Sequence, residues 1–467
     1  MNLLPSLNFF PDYVRHIHIM GICGTGMGSL AGMLKDSGYI VTGSDENVYP
    51  PMSDFLASCN IEIKNGYGAE NLSPQPDLVV VGNTIRKTNP EALALAELGI
   101  PYVSFPQALG HYFLKNKKTL VVTGTHGKTT TSSMLATLLH KTGSTPGFMV
   151  GGLVQLFGRN YNIGNSPYFV VEGDEYDTAF FDKGPKFLHY QPHIAIVTSI
   201  EFDHADIFAD LEAIKRSFSR LMAIMEQDGC VVACFDSPVV QEIAAKAECK
   251  VVSYGIDAEA EWSIKNLEIN TGSTCFDVMH RGRLYTTCKS PMPGRHNALN
   301  ALAVIAVLDH LGFDKEAIAA GLGSFEGVRR RQEVRGVVND ITVIDDFAHH
   351  PTAVRETLTA LKQAYDGHRL VAVFEPRTNS SRRKVFQKDY VSAFDAADLV
   401  LVREPVPLTD FPADQLFSSR QLAADLKKRN INAFSFADTD GILAQLQEEL
   451  LPGDVVAILS NGGFDHI

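Results

Sequence analysis

Thr123-Gly124-Thr125-His126-Gly127-Lys128-Thr129-Thr130 follows the apolar run Thr119-Leu120-Val121-Val122 and precedes Ser132 to His140, whose spacing predicts a helix. Strand, glycine turn and helix in that order make a phosphate cradle. The glycines let successive backbone N–H groups face one concavity, and the helix N-terminus adds partial positive charge. Lys128 is placed to reach terminal phosphates, Thr129 offers a hydroxyl to Mg²⁺, and Gly124, Thr125, His126, Gly127 and Thr130 complete the loop. The long pattern G-x-x-x-x-G-K-[ST] would require glycine where Val122 stands, so the match is to a shorter G-T-x-G-K-T-T form.

The same alternation extends on both sides. Upstream, His16 to Met20, Tyr39 to Thr42 and Leu78 to Val81 read as strands, the first followed by a glycine turn and a helical run. Downstream, Tyr168 to Val171, Ile194 to Val197 and Val231 to Ala233 continue the pattern, and Trp262 to Cys288 reads as an antiparallel insertion. A third alternation starts after the charged stretch Gly323 to Arg331, with strands at Val343, Leu370 to Phe374, Leu399 to Val402, Phe434 and Val455 to Leu459. Such alternation predicts doubly wound parallel sheets. At about 150 residues per domain, 467 residues imply several domains. The division predicted is 1–115, 116–325 and 326–467: an α/β architecture with a Rossmann-like N-terminal domain, a central P-loop ATPase domain and a Rossmann-like C-terminal domain. Residues 1–14 read as a short extension without an assigned use.

Composition narrows the partners. A formal charge of −13 disfavours nucleic acid and anionic membrane surfaces. No run approaches the ~18 uninterrupted apolar residues of a membrane span. Seven cysteines without a C-x-x-C pair point away from a disulfide framework and a thiolate metal site, and toward a reducing, cytoplasmic setting.

Four further stretches carry chemistry. Gly21-Ile22-Cys23-Gly24-Thr25-Gly26-Met27-Gly28 opens a helix but lacks the dinucleotide spacing, so it implies only a diphosphate. Asp45, at the end of the next strand, suits a ribose hydroxyl or a turn equally. Glu172-Gly173-Asp174-Glu175-Tyr176-Asp177 and Glu201-Phe202-Asp203-His204 follow neighbouring strands, whose C-terminal ends share the rim of the phosphate loop. Glu172 and His204 are therefore candidates for metal or phosphate, whereas Asp174, Glu175 and Asp177 read equally as a solvated acidic loop. Pro293 to Asn300 opens a helix on which His296, Asn297 and Asn300 can read a purine edge or cap the helix. Asp345 to Pro351 and Glu375-Pro376-Arg377 follow third-domain strands and read as a site wall.

Taken together, these motifs resemble the Mur-type ATP-dependent amide ligases, over nearly the whole chain from His16 to Gly463. The resemblance implies a UDP-sugar domain, a central ATPase domain and a domain for an amino acid or peptide. It places ATP on the phosphate loop, on His296, Asn297 and Asn300, and on Arg331 and Asp346, with Mg²⁺ on Thr129, Glu172 and His204. The UDP-sugar is implied at Gly21, Cys23, Gly24, Thr25, Gly26, Met27, Ser44, Asp45 and Asn83. Gly21 to Thr25, Val81 to Pro90, Glu172 to Lys183, Glu201 to Phe208 and Ser460 to Phe464 lean to one branch of the family. That branch joins UDP-N-acetylmuramate to the tripeptide L-Ala-γ-D-Glu-meso-diaminopimelate in murein recycling. The branch that takes L-alanine would carry Gln-Pro-His-Arg where this chain has Glu375-Pro376-Arg377-Thr378-Asn379.

Under this resemblance Lys128, Glu172, His204, His349 and Arg377 are the catalytic group. His349 and Asp346 are alternative bases for the incoming amine, and Arg377, Arg382 and Arg383 would receive peptide carboxylates. Lys215 is the nearest candidate for the carbamylated lysine of some relatives, at a poorly fitting spacing. A nucleotide-dependent switch and a dinucleotide oxidoreductase are the rival classes. The paired Glu172 and His204 with the third-domain motifs oppose the first, and the internal ATP loop opposes the second.

Overall fold

Runs of consecutive apolar residues such as Leu78–Val81 and Leu399 to Val402 are buried on both faces, as a parallel strand between two helix layers must be. The computed structural model describes residues 3–50, 52–408 and 411–467. In it the strands form three α/β sheets in chain order. The first contains β1 (His16–Met20), β2 (Ile40–Asp45), β3 (Glu62–Asn65), β4 (Leu78–Val81) and β5 (Tyr102–Ser104), all parallel in the order β3-β2-β1-β4-β5. The glycine turn after β1 sits where the strand order reverses, the usual ligand position of such sheets.

The central sheet is built from β6 (Lys118–Thr123), β7 (Gly147–Val154), β8 (Arg159–Asn162) and β9 (Tyr168–Gly173). After a separate ribbon of β10 (Asp177–Ala179) and β11 (Asp182–Pro185) it continues with β12 (Pro192–Val197), β13 (Cys230–Cys234) and β14 (Lys250–Gly255). It closes with β15 (Trp262–Asn270), β16 (Ser273–His280) and β17 (Arg283–Ser290), in the order β17-β16-β15-β14-β13-β12-β6-β9-β7-β8. β6 lies between β12 and β9, so the phosphate loop leaves the sheet between the two acidic motifs. The Trp262-to-Cys288 stretch is antiparallel as expected, but it extends the central sheet, through parallel pairing of Tyr254 with Trp262.

The third sheet has β18 (Glu333–Val338), β19 (Ile341–Asp346), β20 (Leu370–Phe374), β21 (Leu399–Arg403), β22 (Asn432–Phe436) and β23 (Val455–Leu459). Their order is β18-β19-β23-β20-β21-β22, with only β18 antiparallel. The helix after the phosphate loop runs Lys128–Lys141, one turn earlier than its apolar spacing indicates, because its first residues are buried threonines rather than apolar ones. The helix Arg295–His310 starts within the Pro293-to-Asn300 motif.

The first and central domains share an apolar core. Tyr161 donates its hydroxyl to Asp36 at 3.1 Å, and Asn160 reaches Ser29 at 2.7 Å. Residues 3–14 strap the first domain: Asn8 donates to the Tyr102 carbonyl at 2.9 Å, and Phe10 stacks on His111 with ring centroids 3.9 Å apart. No helix among the described residues is long and apolar enough to cross a membrane.

Candidate active site

At the phosphate loop, Gly124 and Gly127 hold φ of +132° and +79°. A Cβ on Gly124 would lie 2.1 Å from Thr198 Oγ1, so only glycine fits. Lys128 Nζ donates to the Gly124 carbonyl at 2.6 Å and lies 3.3 Å from Glu175 Oε2. Burial alone would lower the Lys128 pKa, but Glu175 and Asp174 outweigh it and keep the ammonium charged. Glu175 is 2% exposed, and Asp174 is held by Lys186 at 2.8 Å and by the Tyr176 hydroxyl at 2.9 Å. The solvated-loop reading therefore fails for these two acids. It holds only for Asp177, a partly exposed partner of Lys183.

Thr129 donates to Glu172 Oε2 at 3.2 Å, while Glu172 Oε1 accepts the Gly151 N–H at 2.5 Å. Burial raises the Glu172 pKa. Adjacent hydroxyl and carboxylate oxygens, with a carboxyl short of countercharge, are a donor set that fits Mg²⁺.

Beside this loop lies a cavity of about 360 Å³ between the central and third domains. Gly127, Thr130, His296, Asn300, Arg331 and Asp346 line parts of it. Asn297 donates to the Pro293 carbonyl at 2.8 Å and to Gln332 at 3.0 Å, whereas His296 Nδ1 and Gln332 Nε2 are buried without partners. Unpaired buried polar atoms on a cavity wall await a polar ligand. Arg331 lies over the Phe347 ring at 4.7 Å and donates to Thr129 at 3.2 Å. Asp346 accepts from the Gln332 and Ala348 N–H groups at 2.7 and 2.8 Å, and from Thr357 at 3.3 Å.

A second cavity of about 280 Å³ is lined by Asp203, His204, His349, Arg377 and neighbouring residues. Glu201 stands on the wall of the first cavity and His204 on the wall of the second, so one short loop joins them. His204 Nε2 is 3.8 Å from Glu175 Oε1. His349 Nδ1 faces the Phe347 carbonyl at 3.0 Å. A carbonyl only accepts, so Nδ1 carries the hydrogen and Nε2 keeps its lone pair. Burial lowers the His349 pKa and favours this neutral form. Asp203 is pushed up by burial but pulled further down, to about 2, by His204, His350 and His349.

His126, Glu201 and His350 bring three ligand atoms within 4.8 Å of one another. His350 Nδ1 accepts the Thr352 N–H and Nε2 faces the Phe202 carbonyl, both at 3.2 Å. With both nitrogens engaged, His350 has no lone pair for a metal, and the trio is an interdomain contact.

Comparison with known proteins places the chain in a family. Models of the Mur ligase family match residues 16–116 (catalytic domain), 122–308 (middle domain) and 329–462 (glutamate ligase domain). A UDP-N-acetylmuramate–L-alanyl-γ-D-glutamyl-meso-2,6-diaminoheptandioate ligase of Haemophilus influenzae is 41% identical over 456 residues, covering 97% of this chain and 98% of the relative. The chain belongs to the Mur ligase family. A crystal structure of a murein peptide ligase from Psychrobacter arcticus superposes with a TM-score of 0.72 at 34% identity, covering 97% of both chains. A UDP-N-acetylmuramate–L-alanine ligase of Clostridium tetani is 34% identical over 454 residues, covering 97% of each chain.

Within this Mur ligase the candidates separate into three places. The nucleotide-side candidates gather at the first cavity and its rim, and His204, His349 and Arg377 at the second. Arg377 is half exposed and lies against the terminal turn, where a Cβ on Gly462 would come within 2.1 Å of its Cδ. The glycine turn of the first domain stands apart: Gly21 and Ile22 donate to the Ser44 carbonyl, and Cys23 N–H donates to Asp45 at 2.9 Å. Asp45 also accepts the Asn47 N–H at 3.0 Å, so it braces the turn. The Ser44 hydroxyl is buried and donates to Glu91 at 2.8 Å, which leaves only its lone pairs for a sugar nucleotide. Asn83 donates to the Asp177 carbonyl at 3.3 Å.

Arg382 reaches Asn379 at 3.0 Å, and Arg383 donates to the Ala205 carbonyl at 2.7 Å, so Arg383 faces the central domain rather than open solvent. Lys215 is paired with Glu212 and Glu242 at 2.9 and 2.7 Å. Sequence reading passed over Thr352, Ser380 and Gln332, and gave Glu201 no role of its own; none carries a motif signal, because each acts through a partner more than a hundred residues away or through a backbone group.

Proposed function

We propose that this chain is an ATP-dependent ligase that joins UDP-N-acetylmuramate to the tripeptide L-Ala-γ-D-Glu-meso-diaminopimelate through an acyl phosphate. The observation that carries the reading is the junction of two cavities at the loop Glu201 to His204, a phosphate loop on one side and a free imidazole lone pair with a guanidinium on the other. The similarity to the Haemophilus influenzae ligase, above that to the alanine ligase, supports the tripeptide as acceptor. The division at 1–115, 116–325 and 326–467 gives each substrate its own domain.

A carboxylate does not condense with an amine in water, so its oxygen must first become a leaving group. In this reading Lys128 and the loop amides hold the β- and γ-phosphates, and Arg331 neutralises charge beside Thr129. Mg²⁺ would be held by Thr129 and Glu172, with His204 as a further ligand on the side of the second cavity, and would supply charge neutralisation to the phosphates. The N–H groups of Thr25, Gly26 and Met27, in the first turn of the helix that follows the glycine turn of the first domain, are presented to the UDP diphosphate. The lactyl carboxylate attacks the γ-phosphorus, ADP departs, and the tripeptide α-amine then attacks the acyl carbon and expels phosphate.

His349 Nε2 takes the proton from that amine. What supports His349 over Asp346 is position and valence: His349 lines the second cavity with a bare nitrogen, whereas Asp346 lines the nucleotide cavity with both oxygens engaged. Arg377 and Arg382 receive carboxylates of the peptide. Mass spectrometry of a reaction with ATP, UDP-N-acetylmuramate and tripeptide tests this, with one amide product expected per ADP; an unchanged sugar nucleotide contradicts it.

A further inference from the structure

The loop after β12 is held from the third domain at four residues, Glu201, Phe202, Ala205 and Asp206. Glu201 accepts the Thr352 hydroxyl at 2.6 Å, and the Phe202 carbonyl faces His350 Nε2 at 3.2 Å. Ala205 N–H donates to Ser380 Oγ at 3.1 Å, and the Ala205 carbonyl accepts from the Arg383 guanidinium at 2.7 Å. Asp206 accepts from Asn379 at 2.9 Å. Among the described residues, both bonds of the Ala205 backbone go to the third domain.

His204 is the residue enclosed by these anchors. Its φ is +52°, in the left-handed region that side-chain-bearing residues rarely occupy. Its carbonyl accepts the N–H groups of Ile207 and Phe208 at 2.8 and 2.9 Å, closing a tight turn, and its ring lies 4.8 Å from that of Tyr176. A strained conformation persists where the surroundings over-determine it. Here the surroundings at the next residue are supplied by another domain.

We infer that Ser380 and Arg383 are positioning residues that, by pinning both backbone groups of Ala205, aim the His204 imidazole into the reaction site only when the third domain is docked. The inference rests on the reading of His204 as a group of the ligase site. It reassigns Arg383, whose guanidinium is engaged by the Ala205 carbonyl and lies over the Phe411 ring at 4.5 Å, from peptide recognition to site assembly. Completion of the phosphoryl-transfer site is thereby tied to closure of the domain that carries the acceptor peptide.

The test uses the full chain with the substitutions Ser380→Ala, Arg383→Ala and Arg383→Lys. Hydrogen exchange of residues 201–208 and Mn²⁺ binding by paramagnetic resonance are measured with a non-hydrolysable ATP analogue and UDP-N-acetylmuramate. Arg383→Ala and Ser380→Ala should speed exchange of that loop and weaken Mn²⁺ binding roughly ten-fold, as loss of a charge-assisted or buried hydrogen bond implies. KM for the tripeptide should stay near its wild-type value, and Arg383→Lys should restore part of the loss. Wild-type exchange and Mn²⁺ binding in both alanine variants overturn the inference, as does a rise confined to the tripeptide KM. Ser380→Ala removes a single oxygen and decides the matter should Arg383→Ala fail to fold. Exchange is read without turnover, so a chain that joins no substrates refutes the ligase reading while the clamp is still tested.

Discussion

Thr352 Oγ1 donates to Glu201 Oε2 at 2.6 Å, joining the first turn of the third-domain helix Pro351–Ala364 to the loop after β12. Glu201 also approaches His126 of the phosphate loop at 3.4 Å. Phosphate loop, β12 loop and third domain thus share one carboxylate. Burial pushes the Glu201 pKa up, but the facing His126 imidazole and the Thr352 hydrogen bond pull it down to about 2, so it stays ionised at neutral pH. Thr352→Val removes the donor without changing shape. The Glu201 side chain is 38% exposed, so solvent makes up part of the loss, and the effect should be about 1 kcal/mol. Steady-state kinetics should show kcat/KM for ATP falling roughly five-fold, with binding of UDP-N-acetylmuramate by calorimetry unchanged.

Lys128→Ala should lower kcat by roughly three orders of magnitude, the scale of losing a preorganised charge at the transferring phosphoryl group. It also leaves Glu175 buried without its cation. Sugar-nucleotide binding, which the proposed function assigns to the first domain, should survive. Robust ADP formation by this variant contradicts the placement of the triphosphate.

His349→Gln should separate the two half-reactions. Loss of a general base lowers amide formation by about 10²- to 10⁴-fold, while the acyl phosphate, trapped by reduction with borohydride, should still form. Equal loss of both steps assigns His349 to phosphoryl transfer instead.

Third-domain residues line both cavities, so an enzyme without nucleotide should spend part of its time open. Small-angle scattering should show a smaller radius of gyration on adding an ATP analogue with UDP-N-acetylmuramate. Identical profiles count against closure as the assembling step.

His296 is held neutral by burial, with its pKa depressed to about 4 from an ordinary value of 6.5. Between those values the unfolded chain binds more protons than the native one, so stability falls as pH drops from about 6.5 toward 4. His296→Gln should flatten that part of the stability–pH curve in denaturant titrations. An unchanged slope contradicts burial as the cause.

The parts of this molecule legible in its sequence are those set by neighbours along the chain. Continuous apolar runs gave the parallel strands, and Gly124 to Thr130 gave the loop between β6 and its helix, because turn and cap chemistry is local. Parts that depend on distant partners were hidden. Glu175 reads as one acid among four until Lys128, 47 residues away, folds against it. The Ser44 hydroxyl looks free to donate until Glu91 takes its hydrogen. Arg383 reads as a peptide ligand because the Ala205 backbone leaves no trace in side-chain spacing. β18 is an exposed edge strand whose valines, Val334, Val337 and Val338, fall on both faces, so no alternation of apolar and polar residues marks it.

Phosphate release from ATP, with UDP-N-acetylmuramate and either the tripeptide or free L-alanine, tests the central claim most directly. The account predicts turnover with the tripeptide and little or none with L-alanine. Release that requires L-alanine and ignores the tripeptide would contradict it.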